Sequence, residues 1–476
     1  MKERLELERV QPERVRISSK GIIDFIEAIK EKRIHLHSFA LLRYGKVAAE
    51  GYYKPFHESQ LHQAFSVSKS VTSAAIGIAI GEGLLSLEDT VAEYFPEKLS
   101  GEVHPYTGMM RIKHLLEMAT VHSKSANTQT NDWVASFLNT MPSRPPGTSF
   151  AYDTTGTHAL CAILQKLTGM TVHDYLRTRL FDPIGIGEIE WESCPMGINK
   201  GGSGIKCTTE DMARFGQLYL QKGVWEGRII LPEGWVELST SKHKDTNNTR
   251  ILLDGTQGYG YQFWRTRYDS YCAFGAGGQL IVVIPHKEAV FVSTANTMNY
   301  RDGQQQILDS LWETLYPAMN SETLPEEGNS YVELQEQLNH LSLIMPVGDK
   351  CSPVAAQLHG KRISLDKNQF EFDACEFHFH ESSGSLTFYR EENQSELVFG
   401  IMEWRSGSDP FLGISSFSTG CWVDEKTLVI QTTMFEMTQE FTLTCGWEQG
   451  LLSIQIVPAG FYFNDQVEYI NEQITR

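Results

Sequence analysis

The feature that most constrains this chain is a long apolar run that opens beside a single lysine. Phe65-Ser66-Val67-Ser68-Lys69-Ser70-Val71-Thr72-Ser73 passes into Ala74-Ala75-Ile76-Gly77-Ile78-Ala79-Ile80-Gly81, and no charge follows Lys69 until Glu82. A helix that is apolar nearly all round belongs in the interior of a large protein. The run is too short, and too rich in Ser, Thr and Gly, to cross a bilayer. It predicts a buried helix starting near Ser66, with Ser66 and Lys69 three residues apart on one face of its first turn. An ammonium beside apolar surroundings is disfavoured, which prepares Lys69 to take a proton from a neighbouring hydroxyl. The same N-terminus offers N–H groups and a positive dipole end to an oxyanion forming at Ser66. Alone, Ser-x-x-Lys fits an ordinary helix start as well as a nucleophile with its base. The apolar residues after it argue against Lys69 being simply a surface charge.

A chain of 476 residues exceeds one ordinary core, so at least two domains are expected. The formal charge is −18, from 41 basic and 59 acidic residues, and no acidic tail accounts for it. Nucleic acid and anionic membrane both need clustered Lys and Arg, so neither is expected as a partner. Met1-Lys2-Glu3-Arg4-Leu5-Glu6-Leu7-Glu8 is charged and lacks an apolar stretch, which is not the pattern of a signal peptide. The eight cysteines are scattered, with no Cys-x-x-Cys pair. Reduced thiols, a cytoplasmic location, no metal site and no cofactor are the corresponding expectations.

Along the chain, Ser38–Tyr53 reads as a hairpin turning at Tyr44-Gly45-Lys46, ahead of the Ser66 helix. From Arg111 to Leu220 the pattern is largely helical; one helix runs from Thr209 to Lys222, capped by Thr208 or Thr209. Gly258–Trp264, Tyr271–Pro285 and Ala289–Thr294 read as strands, and 303–316 as a helix returning to them. This predicts an α+β fold, an antiparallel sheet flanked by helices plus a helical lobe. Beyond residue 345 the segments are short, β-rich and often alternating, the pattern of a small all-β domain, barrel or sandwich. The expected division is 1–320, a linker with a short helix at 321–344, and 345–476.

Two further stretches carry chemistry. Tyr152 lies in the loop Pro145–Gly156 and, if buried beside an ammonium, can relay protons; an isolated loop tyrosine is otherwise a packing residue. Phe274-Gly275-Ala276-Gly277-Gly278-Gln279-Leu280 starts an apolar strand, where glycines let a substrate approach and supply an oxyanion N–H, or else form a plain hairpin turn. His378 and His380 alternate on one strand and read as a solvated face. Glu88, Asp89 and Asp153 read as capping or turn carboxylates.

Taken in order, Ser66-Val67-Ser68-Lys69, Tyr152-Asp153-Thr154 and Gly275–Gln279 resemble the motif set of the serine β-lactamase-like family, over residues 20–318. That family includes class C β-lactamases, low-molecular-weight penicillin-binding proteins, and the esterase and aminohexanoate-dimer hydrolase branch. His114-Leu115-Leu116, Pro146-Gly147-Thr148, Gly202-Ser203-Gly204, Asp211–Leu218 and Tyr259–Trp264 extend the likeness. The resemblance implies a β-lactamase/transpeptidase-like fold, with Ser66 as acylated nucleophile, Lys69 as its activator and Tyr152 as general base and proton relay. It also implies an oxyanion hole from the N–H groups of Ser66 and of a residue near Gly277, Gly278 or Gln279.

Two departures bear on the substrate. Thr154 stands where the family's second motif usually has Asn, and Gly275-Ala276-Gly277 stands where the third usually carries Lys or His. That cation holds a substrate carboxylate in the antibiotic and peptidoglycan enzymes, so Ala276 points to the esterase and aminohexanoate-dimer hydrolase branch. The expected activity is hydrolysis of a small ester or amide through an acyl-enzyme. The alternatives are a D-amino-acid amidase or peptidase, a weak β-lactamase, or a penicillin-binding-like protein that binds or scaffolds with little turnover. A homo-oligomer is compatible with all of them.

Overall fold

A computed structural model describes residues 6–247, 252–298, 300, 302–325, 328–434, 438–460 and 468–473. The contacts divide the chain into two compact units. One comprises Met1–Gly51, Leu61–Ala295 and Asp302–His340; the other comprises Tyr52–Gln60, Asn296–Arg301 and Leu341–Arg476.

The first unit is built on a six-stranded sheet in the order Lys46–Tyr52, His35–Arg43, Ala289–Asn296, Gln279–Ile284, Ser270–Gly275, Trp264–Thr266. Its inner strands are buried along their length and rich in Val, Ile and Phe, as a sheet covered on both faces requires. Alternation then sorts the side chains. Ile281 pairs with Val292 and Val283 with Val290, and all four enter the core that also holds Val71, Ala74, Ala75 and Ile78 of the helix Val67–Gly81. Phe39 and Phe291 instead meet Phe25 of the helix Ser19–Glu31 edge-on, at 5.3 and 5.4 Å between centroids. The helix apolar all round is thus the one pressed between sheet and helical lobe, and its lobe-side neighbour is the helix Thr154–Thr168.

The segment Gly258–Trp264, expected as a strand, enters one only at Trp264. Gln262 adopts φ 66°, and its amide turns inward to donate to the carbonyls of Leu115 and Leu116 while accepting from Thr157 Oγ1. The aromatic alternation of Tyr259, Tyr261 and Phe263 therefore reflects burial on both sides of a bent segment. The helix expected over 303–316 runs over Gly303–Ser310 and continues as a π-turn through Leu315. No helix among the described residues is long and apolar enough to cross a membrane.

The second unit holds a sheet of ten strands among the described residues. It is an antiparallel meander, broken once where Asn393–Ile401 pairs in parallel with Ser415–Asp424. Inward residues meet across strands, as in Phe377 with Leu386, Leu386 with Leu397 and Ile430 with Leu443, and form one apolar core. His378 lies on the outer face and bonds Glu376 Oε1 at 2.8 Å.

A buried carboxylate ties the end of the first sheet to the helix Gly303–Ser310 and its π-turn. Asp254 is fully buried and accepts from the Arg267 guanidinium at 2.8 Å, from Gln305 Nε2 at 2.7 Å and from Trp312 Nε1 at 3.2 Å. Asp254→Ala leaves Trp312 Nε1 and the Arg267 main-chain N–H without this acceptor, and Arg267 and Gln305 with only Asp309 in its place; urea unfolding should show a loss of about 3 kcal/mol. A loss under about 0.5 kcal/mol, the range of ordinary surface changes, would contradict that assignment.

Candidate active site

Ser66 sits where a short strand turns into a helix. The strand His62–Gln63 pairs with Ile205–Cys207, and Ala64 N continues the pairing to Ile205 O at 2.8 Å. Phe65 then takes φ 47°, a left-handed conformation costly for a bulky residue, and Ser66 becomes the N-cap of Val67–Gly81. Ser68 braces this corner: its hydroxyl donates to Phe65 O at 2.6 Å and accepts from Ile205 N at 3.2 Å.

One turn along, Lys69 is 1% exposed. Its Nζ donates to Ser66 Oγ at 3.1 Å and to the carbonyl of Gly202 at 2.6 Å. Burial pulls its pKa down to about 7, against an upward pull from Asp153. An amine at that value is half neutral near physiological pH, and the neutral half can accept the serine proton.

Gly202 has to be glycine for a steric reason. A Cβ there would lie 2.4 Å from Thr154 Cγ2 and 3.1 Å from Lys69 Nζ. The neighbouring Gly201 carbonyl accepts from Thr72 Oγ1 at 2.9 Å, so Lys69 and Thr72, on one helix face, clamp the Gly201-Gly202 backbone.

Tyr152 is half-buried, and its ring centroid lies 4.7 Å from Lys69 Nζ. Burial pushes its pKa up to about 12, and the Ser66 hydroxyl pulls it the other way. At neutral pH it is a phenol, so the group able to accept a proton from Ser66 is Lys69. Asp153 is, as its position suggested, a cap: it receives Thr155 N at 3.0 Å and Gly156 N at 3.2 Å, opening the helix Thr154–Thr168. Its other oxygen accepts from Thr120 Oγ1 at 2.9 Å. Thr154 occupies the first turn, its N–H donating to Ser125 Oγ at 2.8 Å.

The third stretch is the hairpin between Ser270–Gly275 and Gln279–Ile284. Gly277 and Gly278, at φ 79° and 100°, form its turn. Gly275 is pressed against the backbone two residues before Ser66; a Cβ on it would fall 2.3 Å from Ala64 O. Gly278 O accepts from Ser293 Oγ at 2.9 Å. The Gln279 side chain turns into the sheet, bonding Ala276 O at 3.0 Å and Ala295 O at 2.8 Å, so only its main chain is offered to a ligand. Ala276 is half-buried in the turn and carries no charge to the site.

The structure therefore brings Ser66, Lys69 and Tyr152 together, with Thr154 beside the lysine and the Gly275–Gly278 turn beside the serine's strand. Sequence reasoning quoted Gly202 as a flanking residue and missed its carbonyl; the glycine pair Gly201-Gly202 was the available signal.

The family model described as Beta-lactamase matches residues 23–311, more than half of the chain. The chain belongs to this family. Membership makes it a serine hydrolase of the kind that acts on amides, esters or β-lactams, with the β-lactamase/transpeptidase-like fold followed by an all-β domain. Among relatives, it is 26% identical over 287 residues to a 6-aminohexanoate-dimer hydrolase of Paenarthrobacter ureafaciens, covering 54% of this chain and 72% of that one. A beta-lactamase of Escherichia coli K12 is 26% identical over 246 residues, covering 46% of this chain and 61% of that one. The solved octameric penicillin-binding protein homologue from Pyrococcus abyssi superposes with a TM-score of 0.50 at 14% identity, covering 95% of this chain and 99% of that one.

Because Gly202 holds Lys69 and has no room beside it, Gly202→Ala should displace the amine. An ångström of misplacement costs about a hundredfold in rate. The measurement is kcat/KM on p-nitrophenyl butyrate alongside the melting temperature, and a folded variant with full activity would refute the steric argument.

Proposed function

We propose that this protein hydrolyses a small ester or amide through an acyl-enzyme at Ser66. The observation that carries the reading is the buried Lys69 amine, 3.1 Å from Ser66 Oγ and with a pKa near 7. Neutral Lys69 takes the Ser66 proton as Oγ bonds to the substrate carbonyl carbon. The negative charge on the former carbonyl oxygen is met by the N–H groups of Ser66 and of the Gly277–Gln279 turn. As the bond to the leaving alcohol or amine breaks, that group takes a proton through Tyr152, whose hydroxyl faces Ser66 and is replenished from the lysine ammonium. Water then attacks the ester on Ser66, and the same groups return the serine to its resting form.

The third motif favours an ester or amide without a carboxylate to be held, because Ala276 supplies no cation there. The similarity to a 6-aminohexanoate-dimer hydrolase, named for a linear amide, supports an amide or ester as the bond that is cleaved. The proposed small-molecule substrate is therefore an ester or amide of modest size rather than a cell-wall peptide.

Ser66→Ala should lose several orders of magnitude in kcat on p-nitrophenyl butyrate, and the wild type should show an acyl adduct on Ser66 by mass spectrometry after rapid quench. Equal turnover by wild type and mutant would end the proposal. The sign of the pH dependence follows from the lysine: the active form is deprotonated, so kcat/KM should climb as pH rises through about 7. Its acid limb should vanish in Lys69→Ala together with most of the activity, whereas a rate flat from pH 5.5 to 8.5 would exclude Lys69 as the base.

A further inference from the structure

Trp264 is buried, and its ring lies in the middle of a stack that no step above uses. Tyr152 stacks on it at 5.8 Å between centroids and 23° between planes, and Phe274 stacks on it at 5.8 Å and 19°. Tyr259 meets the indole edge-on at 4.7 Å and 82°, and Phe150 meets it at 5.5 Å and 65°. Phe274 immediately precedes Gly275, the residue pressed on Ala64, and it pairs with Leu280 in the hairpin that carries Gly277 and Gly278. The indole thus joins the two parts of the site that come from distant sequence, the Tyr152 loop and the glycine turn. Both are otherwise attached to the Ser66 helix by separate contacts.

A tyrosine has two side-chain torsions, and an unsupported ring on a loop sweeps its hydroxyl over several ångströms. A proton relay works only within hydrogen-bond reach of the atoms it serves. We propose that Trp264 is a positioning residue of the hydrolase: its indole, flanked by Tyr152 and Phe274, fixes the Tyr152 ring so that the hydroxyl stays on Ser66. This rests on the acyl-enzyme reading above. The edge-on Tyr259, and Phe150 from the Tyr152 loop itself, restrain the indole in turn, so the orientation of Tyr152 is set through Trp264 as well as by its own loop. The same packing keeps water from the phenol and so maintains it in its neutral, proton-donating form, in agreement with its raised pKa.

The test compares wild type, Trp264→Leu, Trp264→Phe and Phe274→Leu on p-nitrophenyl butyrate. Active sites are counted by labelling Ser66 with a fluorophosphonate and reading the adduct by mass spectrometry. Per labelled site, Trp264→Leu should lose about ten- to a hundredfold in kcat with KM within about twofold, the cost of a misplaced catalytic group. Trp264→Phe keeps a planar ring and should recover most of the loss, and Phe274→Leu should fall between. The alkaline limb of the pH profile should also move down in Trp264→Leu, as solvent draws Tyr152 from about 12 toward its ordinary 10, and return in Trp264→Phe.

A residue that only stabilises the fold would lower the melting temperature and the labelled fraction, leaving the rate per site and the alkaline limb unchanged; that result overturns the proposal. So does a loss confined to KM, which would make Trp264 a substrate contact. A wild type whose Ser66 is neither labelled nor needed for turnover would defeat the hydrolase reading itself and this inference with it.

Discussion

Everything in the site depends on one amine held out of water. Lys69 is buried where its charged form is poorly solvated, yet it is supplied with two acceptors, the Ser66 hydroxyl and the Gly202 carbonyl. A lysine with no acceptors would be driven neutral at much lower pH, and one facing a close carboxylate would stay an ammonium. Neutral dipoles on one side and the Asp153 charge at a distance leave it near 7. Asp153 can exert that distant pull because its oxygens are engaged in capping Thr154–Thr168 and in the Thr120 bond, and not in an ion pair with the lysine.

The surrounding elements follow from that arrangement. The helix Val67–Gly81 has to be apolar all round, because it carries the lysine into a region covered by the sheet on one side and by Thr154–Thr168 on the other. The loop at Gly201-Gly202 has to lack side chains, because its carbonyls approach the lysine and Thr72 directly. Phe65 accepts a left-handed backbone because only a sharp corner after His62–Gln63 brings a serine to the helix N-terminus beside the Gly275 turn. The strain falls on the residue next to the nucleophile and is compensated by Ser68, which bonds both sides of the corner.

How much of this was legible in sequence depends on whether the information is local. Ser66 and Lys69 share one helical turn, so spacing and the apolar run were enough to place them together. Tyr152 is brought in by tertiary packing, and only the order of several short motifs pointed to it. The Gly202 carbonyl was not legible at all, because a main-chain acceptor leaves no residue type behind, only a glycine with many other possible reasons. Gly258–Trp264 misled for a related cause: aromatic residues at alternate positions mark burial on two sides, which a bent segment pinned by Gln262 achieves as well as a strand. In the tail, alternation revealed the strands. It carries no information on partner direction, so the parallel junction between Asn393–Ile401 and Ser415–Asp424 appeared only in the structure.

The buried lysine of the site also works against the fold, and the direction is fixed by its pKa. In the unfolded chain Lys69 titrates near 10.5 and in the folded one near 7. Below pH 7 both forms hold the proton, and the folded state bears the whole cost of the buried ammonium. Between 7 and 10.5 the folded protein has released a proton that the unfolded chain still binds, so this group's contribution to stability rises with pH across that window. The pH range in which the amine becomes a competent base is therefore also the range in which its burial begins to cost less. Replacing Lys69 by an apolar residue of similar volume removes the cost and the base together, and a gain in stability below pH 7 with loss of turnover is what distinguishes a buried functional lysine from a buried structural one.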